Sequence, residues 1–158
     1  MHASPSPLVA ALMQEARELG RDGERVREID VVRLAAGLAG QSEAELGDAI
    51  LHLLQDENPV TRRLAADVWR RRGAPPLQPY LRRLSELLTD ADERVRGEAA
   101  RALAVSGCDE PWLLEALTRA AEGAPSLWVS EDDLADEEQL ARRRALEALA
   151  ILTSARCG

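Results

Sequence analysis

The chain contains no phenylalanine, no lysine and a single tyrosine among its 158 residues. With so few aromatics, the core must be built from Leu, Ala and Val, which pack helices closely, and Ala and Leu are strong helix formers. An all-α fold is expected on that ground alone. The 20 basic residues are all Arg and the net charge is −8, so general affinity for nucleic acid or an anionic membrane is not expected. Cysteine is scarce as well. Cys108 and Cys157 lie far apart, form no CxxC motif and have no His cluster beside them, which argues against a disulfide framework and suits a reducing compartment. Long apolar runs are missing too. Gln14 and Glu15 cut short the only early one, and Met1 to Pro7 has no basic start, so no signal or membrane segment is expected. A cytoplasmic location follows. His2 and His52 have no patterned acid, Cys or Ser partner, and there is no Gly-rich phosphate loop, HExxH or nucleophile motif. The expectation is a protein that is not an enzyme, with no cofactor and no metal.

In place of these, the chain has a pattern written twice. Leu54, Asp56, Arg62, Ala65, Ala66 and Gly73 return at one constant offset as Leu88, Asp90, Arg96, Ala99, Ala100 and Gly107. Ile50 and Leu53 return at the same offset as Leu84 and Leu87. A weaker copy precedes, in which Arg33-Leu34-Ala35-Ala36 matches Arg63-Leu64-Ala65-Ala66. Another follows: Ala145, Ala148, Leu149 and Ala150 stand where Ala99, Ala102, Leu103 and Ala104 stood, but at a wider offset, so the last copy carries about 12 extra residues.

Punctuation divides these copies into helices. Ser6 is placed as an N-cap with Pro7 at the first helical position, and Gly20 as a stop. A second helix lies within Glu24 to Ala39, with Gly40 after it. Ser42 to Glu45 form a capping box that opens a helix carrying Leu46, Ile50, Leu53 and Leu54. Asn58 and Pro59 start the next, which ends at Gly73, and Ala74-Pro75-Pro76 link it onward. Helices are expected over Gln78 to Leu88 and Glu93 to Ser106, with a turn at Thr89 to Asp92 and a stop at Gly107. Asp109 is placed to cap a seventh helix holding Trp112, and the last runs from about Asp136 to Ser154. Trp69 and Trp112 occupy apolar positions and are expected in the core.

Two short helices per copy, with Leu87-Leu88-Thr89-Asp90 and then Val95-Arg96-Gly97-Glu98-Ala99-Ala100-Arg101-Ala102-Leu103, resemble a HEAT repeat of the short bacterial type, similar to those of bilin-lyase relatives. Leu53 to Trp69 is a second copy, with Thr61 for the usual Val and Trp69 for the usual Leu. The resemblance covers residues 42 to 155, and 8 to 40 by analogy. It implies an α-solenoid, a HEAT-like superhelix of about eight helices in four antiparallel pairs, as one domain over 1–158. Within it 1–6 is a flexible leader, 7–40 a degenerate capping pair, 42–73, 77–107 and 109–155 are repeats, and 124–138 is an insertion loop. It also implies that the Asp56/Arg62 and Asp90/Arg96 pairs form a ladder between neighbouring repeats. The second helix of each pair would line a concave face.

Three features bear on function. Residues 60 to 103 hold ten Arg and six carboxylates, whereas each flank holds five Arg and eleven carboxylates. Arg63, Arg70, Arg71 and Arg101 lie off the apolar stripe, with Asp67 among them; they form either a solvated face or a groove for an acidic or phosphorylated segment. The acids from Glu131 to Glu138 lack the alternating spacing of a calcium loop and fit a helix start, where carboxylates meet the positive end. Leu127-Trp128-Val129 either folds back over the end of the stack or presents a partner-binding knob. The expected function is a non-catalytic protein-binding module, a scaffold, adaptor or regulator. Its partner is another protein, held by Arg63, Asp67, Arg70, Arg71, Arg101 and Trp128. The alternatives are an immunity protein that neutralises a toxin, or a HEAT-fold enzyme of the bilin-lyase or DNA-glycosylase kind. The chain is short for either enzyme and too acidic for the latter.

Overall fold

A computed structural model describes residues 4–21, 27–46, 48–72 and 78–154. Every regular element among them is helical, and none of these helices is long and apolar enough to cross a membrane. Contacts gather the chain into two compact units, Met1–Gly73 and Ala74–Gly158.

The first unit contains α1 (Pro7–Arg21), α2 (Glu28–Ala39), α3 (Glu43–Leu46), α4 (Ala49–Leu54) and α5 (Pro59–Arg72). Ser6 caps α1 by accepting the Val9 N–H at 3.3 Å, but the helix continues through Gly20 to Arg21. The capping box closes in both directions, Glu45 N–H to Ser42 Oγ at 3.2 Å and Ser42 N–H to Glu45 Oε2 at 3.1 Å. The helix it opens lasts one turn. The expected continuous helix gives way to a turn at Asp48, after which α4 begins at Ala49, and Asp is a poor helix former; Gly47 lies outside the described residues. Around α5 pack α1, α2 and α4, and Leu64, Ala65, Ala66, Val68 and Trp69 are buried against them. Arg33 of α2 reaches Glu15 of α1 at 2.6 Å, and that hydrogen bond raises the guanidinium pKa above its ordinary value. The Gly73 stop, the Ala74-Pro75-Pro76 link, His2, Cys157 and the start of the second helix at Glu24 lie outside the described residues.

The second unit contains α6 (Gln78–Glu86), a 3₁₀ turn (Leu87–Thr89), α7 (Glu93–Ala104), α8 (Pro111–Ala120), a second 3₁₀ turn (Glu131–Asp133) and α9 (Glu137–Ser154). Small residues bring α7 and α9 together. Ala99, Ala100 and Ala102 of α7 are buried, as are Ala141, Ala145 and Ala148 of α9, and a Cβ built on Gly97 would stand 3.6 Å from Ala141 Cα. Gly107, beyond α7, has φ +69°, a conformation that disfavours a side chain. Pro111 takes the first helical position of α8, so Glu110 rather than Asp109 stands at its N-cap. At α9 the Gln139 N–H donates to Asp136 Oδ1 at 2.9 Å and the Ala135 N–H to Gln139 Oε1 at 3.0 Å. The acids at the end of the insertion do serve as a helix start.

The sequence echo is an echo of hydrogen bonds. In the first unit Asp56 Oδ1 accepts the Asn58 N–H at 3.0 Å, Asn58 Oδ1 accepts the Val60 N–H at 2.8 Å, and Arg62 Nη1 donates to the Asp56 carbonyl at 2.9 Å. In the second, Asp90 Oδ1 accepts the Asp92 N–H at 3.0 Å, Asp92 Oδ1 accepts the Arg94 N–H at 2.9 Å, and Arg96 Nη1 donates to the Asp90 carbonyl at 2.6 Å. Each Arg thus braces the carbonyl that opens its own turn. Longer reaches are made by Arg17 to Asp56 Oδ2 at 3.2 Å and by Arg96 to Glu138.

Candidate functional site

On α5, Arg63, Asp67, Arg70 and Arg71 recur at spacings of four, three and one, which places them on one helical face. Arg63 Nη1 and Nη2 donate to the two carboxylate oxygens of Glu28 on α2, at 2.9 and 2.7 Å. Asp67 is 7% exposed, and its Oδ1 accepts from Arg70 Nη2 at 2.6 Å and from Arg71 Nε at 3.0 Å. A single buried carboxylate therefore aligns two guanidinium groups side by side. Arg72 is held as well, donating to the Gln41 carbonyl. Three cations at the C-terminal end of α5 also suit the negative end of its dipole.

Arg101, on α7 of the second unit, donates to Glu98 Oε1 at 3.1 Å. The corresponding first-unit position is Asp67, so the two copies carry opposite charges there.

The insertion loop departs from one expectation. Leu127, Trp128 and Val129 are exposed, at 46%, 97% and 36%, and Trp128 in particular is not folded back as a cover. The loop is nonetheless firmly tied. Arg143 Nη1 donates to the Ser126 carbonyl at 2.8 Å, and Nη2 donates to the Leu127 and Val129 carbonyls at 2.9 and 2.7 Å. The Arg143 side chain is 7% exposed, and its Nε lies 3.3 Å from Glu147 Oε1. Sequence reasoning passed over this residue, yet a signal existed. At the offset that carries Ala99 to Ala145, Arg143 falls on Gly97, and that position of α7 faces inward.

The loop acids disperse to separate tasks. Glu131 pairs with Arg144 at 2.8 Å, Glu138 with Arg96 and with Arg142, and Asp136 caps α9, while Asp132 and Asp133 are exposed. Trp112 is only partly buried, contrary to expectation. Its indole N–H donates to Glu110, and the Arg82 guanidinium lies 4.1 Å from its ring centroid, a cation–π arrangement.

A cavity of about 400 Å³ opens in the second unit. Leu88, Ala116, Ala120, Ala141 and Ala145 give it an apolar floor, and Arg96, Arg119 and Arg142 stand around it with Glu122 and Glu138. Comparison with protein-family models, with curated proteins and with solved structures returns no match.

Proposed function

We propose that the chain is a HEAT-like repeat scaffold, an α-solenoid as the sequence resemblance implies, that binds a partner protein without catalysing a reaction. The contact is an acidic or phosphorylated segment of the partner, and the face that receives it is the one bearing Arg63, Asp67, Arg70 and Arg71. One observation carries the reading: buried Asp67 holds Arg70 and Arg71 in fixed register. Guanidinium groups orient anions through planar forks of donors, and a pre-aligned pair loses less side-chain freedom on binding. The hydrogen-bonded turn shared by the two strongest copies supports the repeat part of the proposal.

The test uses two fluorescent peptides, one rich in Glu and phosphoserine and one with Gln and Ser in their place. The acidic peptide should bind, and binding should weaken as salt rises. Arg71→Glu together with Arg70→Gln should remove it while the helical circular dichroism is unchanged. Equal binding of the neutral peptide, or undiminished binding by the double variant, would overturn the reading. Arg101→Glu, measured alongside, reports whether α7 takes part.

A further inference from the structure

Two carboxylates meet arginines on the α5 face, and they differ sharply in burial. The Asp67 side chain is 10% exposed and holds Arg70 and Arg71. The Glu28 side chain, reaching over from α2, is 60% exposed and holds Arg63. Asp67 is enclosed and would be left without its cations if they turned away, so its bonds are permanent. Glu28 stands largely in water whether or not it touches Arg63, and a pair that one partner can leave into solvent is weak. The Arg63 side chain is itself only 20% exposed. Its guanidinium therefore favours having an acceptor against it at all times.

The contact also shows what the Arg63 seat accepts. Nη1 and Nη2 donate to the two oxygens of one carboxylate at 2.9 and 2.7 Å. That pair of parallel donors takes a carboxylate or two phosphate oxygens alike. Arg63 and Arg70 lie on one face of α5, about 10 Å apart along its axis. Extended chain advances about 3.3 Å per residue. A segment bound at Arg70 therefore brings an acid roughly three residues away up to Arg63. Glu28 already occupies that place.

We infer that Glu28 is an intramolecular competitor of the partner's acidic segment, filling the Arg63 seat until an incoming acid replaces it. The inference rests on the reading of α5 as an acid-binding face. The exchange conserves bonds: the partner's carboxylate or phosphate takes the two Arg63 donors while Glu28 returns to water. At no stage is the half-enclosed guanidinium without an anion. Competition lowers affinity by as much as the internal pair is populated, and for an exposed pair that is roughly two- to sixfold. It also sharpens selection. A segment whose single acid reaches only Arg70 and Arg71 leaves Glu28 in place, whereas one with a second acid at the right distance gains Arg63 as well.

Fluorescence anisotropy of the full chain with the peptide rich in Glu and phosphoserine tests the competition. Glu28→Gln should bind it roughly two- to sixfold more tightly than wild type, with unchanged circular dichroism. The gain should require Arg63. In an Arg63→Gln background, Glu28→Gln should give no more than Asp30→Asn, which removes a carboxylate from the same turn of α2 and releases Arg27 instead. Arg63→Gln alone should weaken binding far less than the double variant at Arg70 and Arg71, because its seat is filled in the free protein. Gains of equal size with and without Arg63 overturn the inference by reducing Glu28 to a nearby like charge. So does the absence of any gain, or complete loss of binding in Arg63→Gln. Where wild type still binds the peptide, these failures leave the α5 reading standing. Binding by neither wild type nor Glu28→Gln overturns both.

Discussion

Thr61 and Val95 occupy the same place in the two duplicated turns, whose hydrogen bonds match, and both are fully buried. Val95 fits that place without remainder. Thr61 brings a hydroxyl, and among the described residues Oγ1 has no hydrogen-bond partner. The expected helical acceptor, the Glu57 carbonyl four residues back, receives Arg62 Nη1 instead.

Thr61→Val should therefore stabilise the protein by about 1 kcal/mol, because a buried hydroxyl without a partner costs about 1–3 kcal/mol of desolvation. Urea unfolding of wild type and variant measures the difference. A loss of stability would mean that the hydroxyl is satisfied in solution.

Gly97 offers a test of both signs at one position. A Cβ there would meet Ala141 at 3.6 and 3.8 Å, ordinary contact distances, so Gly97→Ala should gain about 0.5–1 kcal/mol from helix propensity. Gly97→Leu should instead lose about 1–3 kcal/mol, since α7 and α9 leave no room for the larger side chain. Thermal unfolding of the two variants should move in opposite directions.

At Gly107 the backbone alone decides. Its φ is +69°, and a Cβ would meet nothing within 4 Å. Gly107→Ala should cost about 1 kcal/mol through strain rather than collision, and Gly107→Asn less, because Asn tolerates the left-handed region better. Equal losses in the two would assign the cost to something other than φ.

Arg143→Met should cost about 3 kcal/mol, as expected when a buried charged group loses its network. The signature is local. Amide exchange should accelerate over 124–138 before it changes in α5, and Arg143→Lys should restore only part of the protection because an ammonium lacks the fork that spans three carbonyls.

The helix starts were legible in the sequence because capping is chemistry over three residues. Ser6, Asn58, Asp136 and the Ser42/Glu45 box all do what their spacing implies. So was Trp69, whose place in the apolar stripe leads into the core. Arg143 was not legible as a buried residue. It reads as one of three consecutive arginines on a polar helix, and its burial depends on carbonyls 14–17 residues away in sequence. Trp112 failed for a related reason. Its apolar position is met by Arg82 from α6, and that partnership leaves the ring part-exposed instead of sealed. The duplicated Asp and Arg residues were legible as a unit, but the identity of their bonds was not. Residue type suggests pairing of Arg with the Asp carboxylate of its own turn, whereas Arg62 and Arg96 donate to the backbone carbonyls of Asp56 and Asp90, and Arg96 reaches the Glu138 carboxylate as well.

In each duplicated turn the widest bond joins residues six apart, Arg62 to Asp56 and Arg96 to Asp90. By contrast, Arg17 and Asp56 are 39 residues apart, and Arg96 and Glu138 are 42. Closing a loop of about ten residues takes on the order of 10–100 ns, and distant encounters are slower because more chain entropy is lost before any contact rewards it. Each turn thus needs only a short stretch of its own chain to close. During synthesis the Asp56 turn can close before the residues around Asp90 have been made, so the growing chain acquires order in two instalments rather than one.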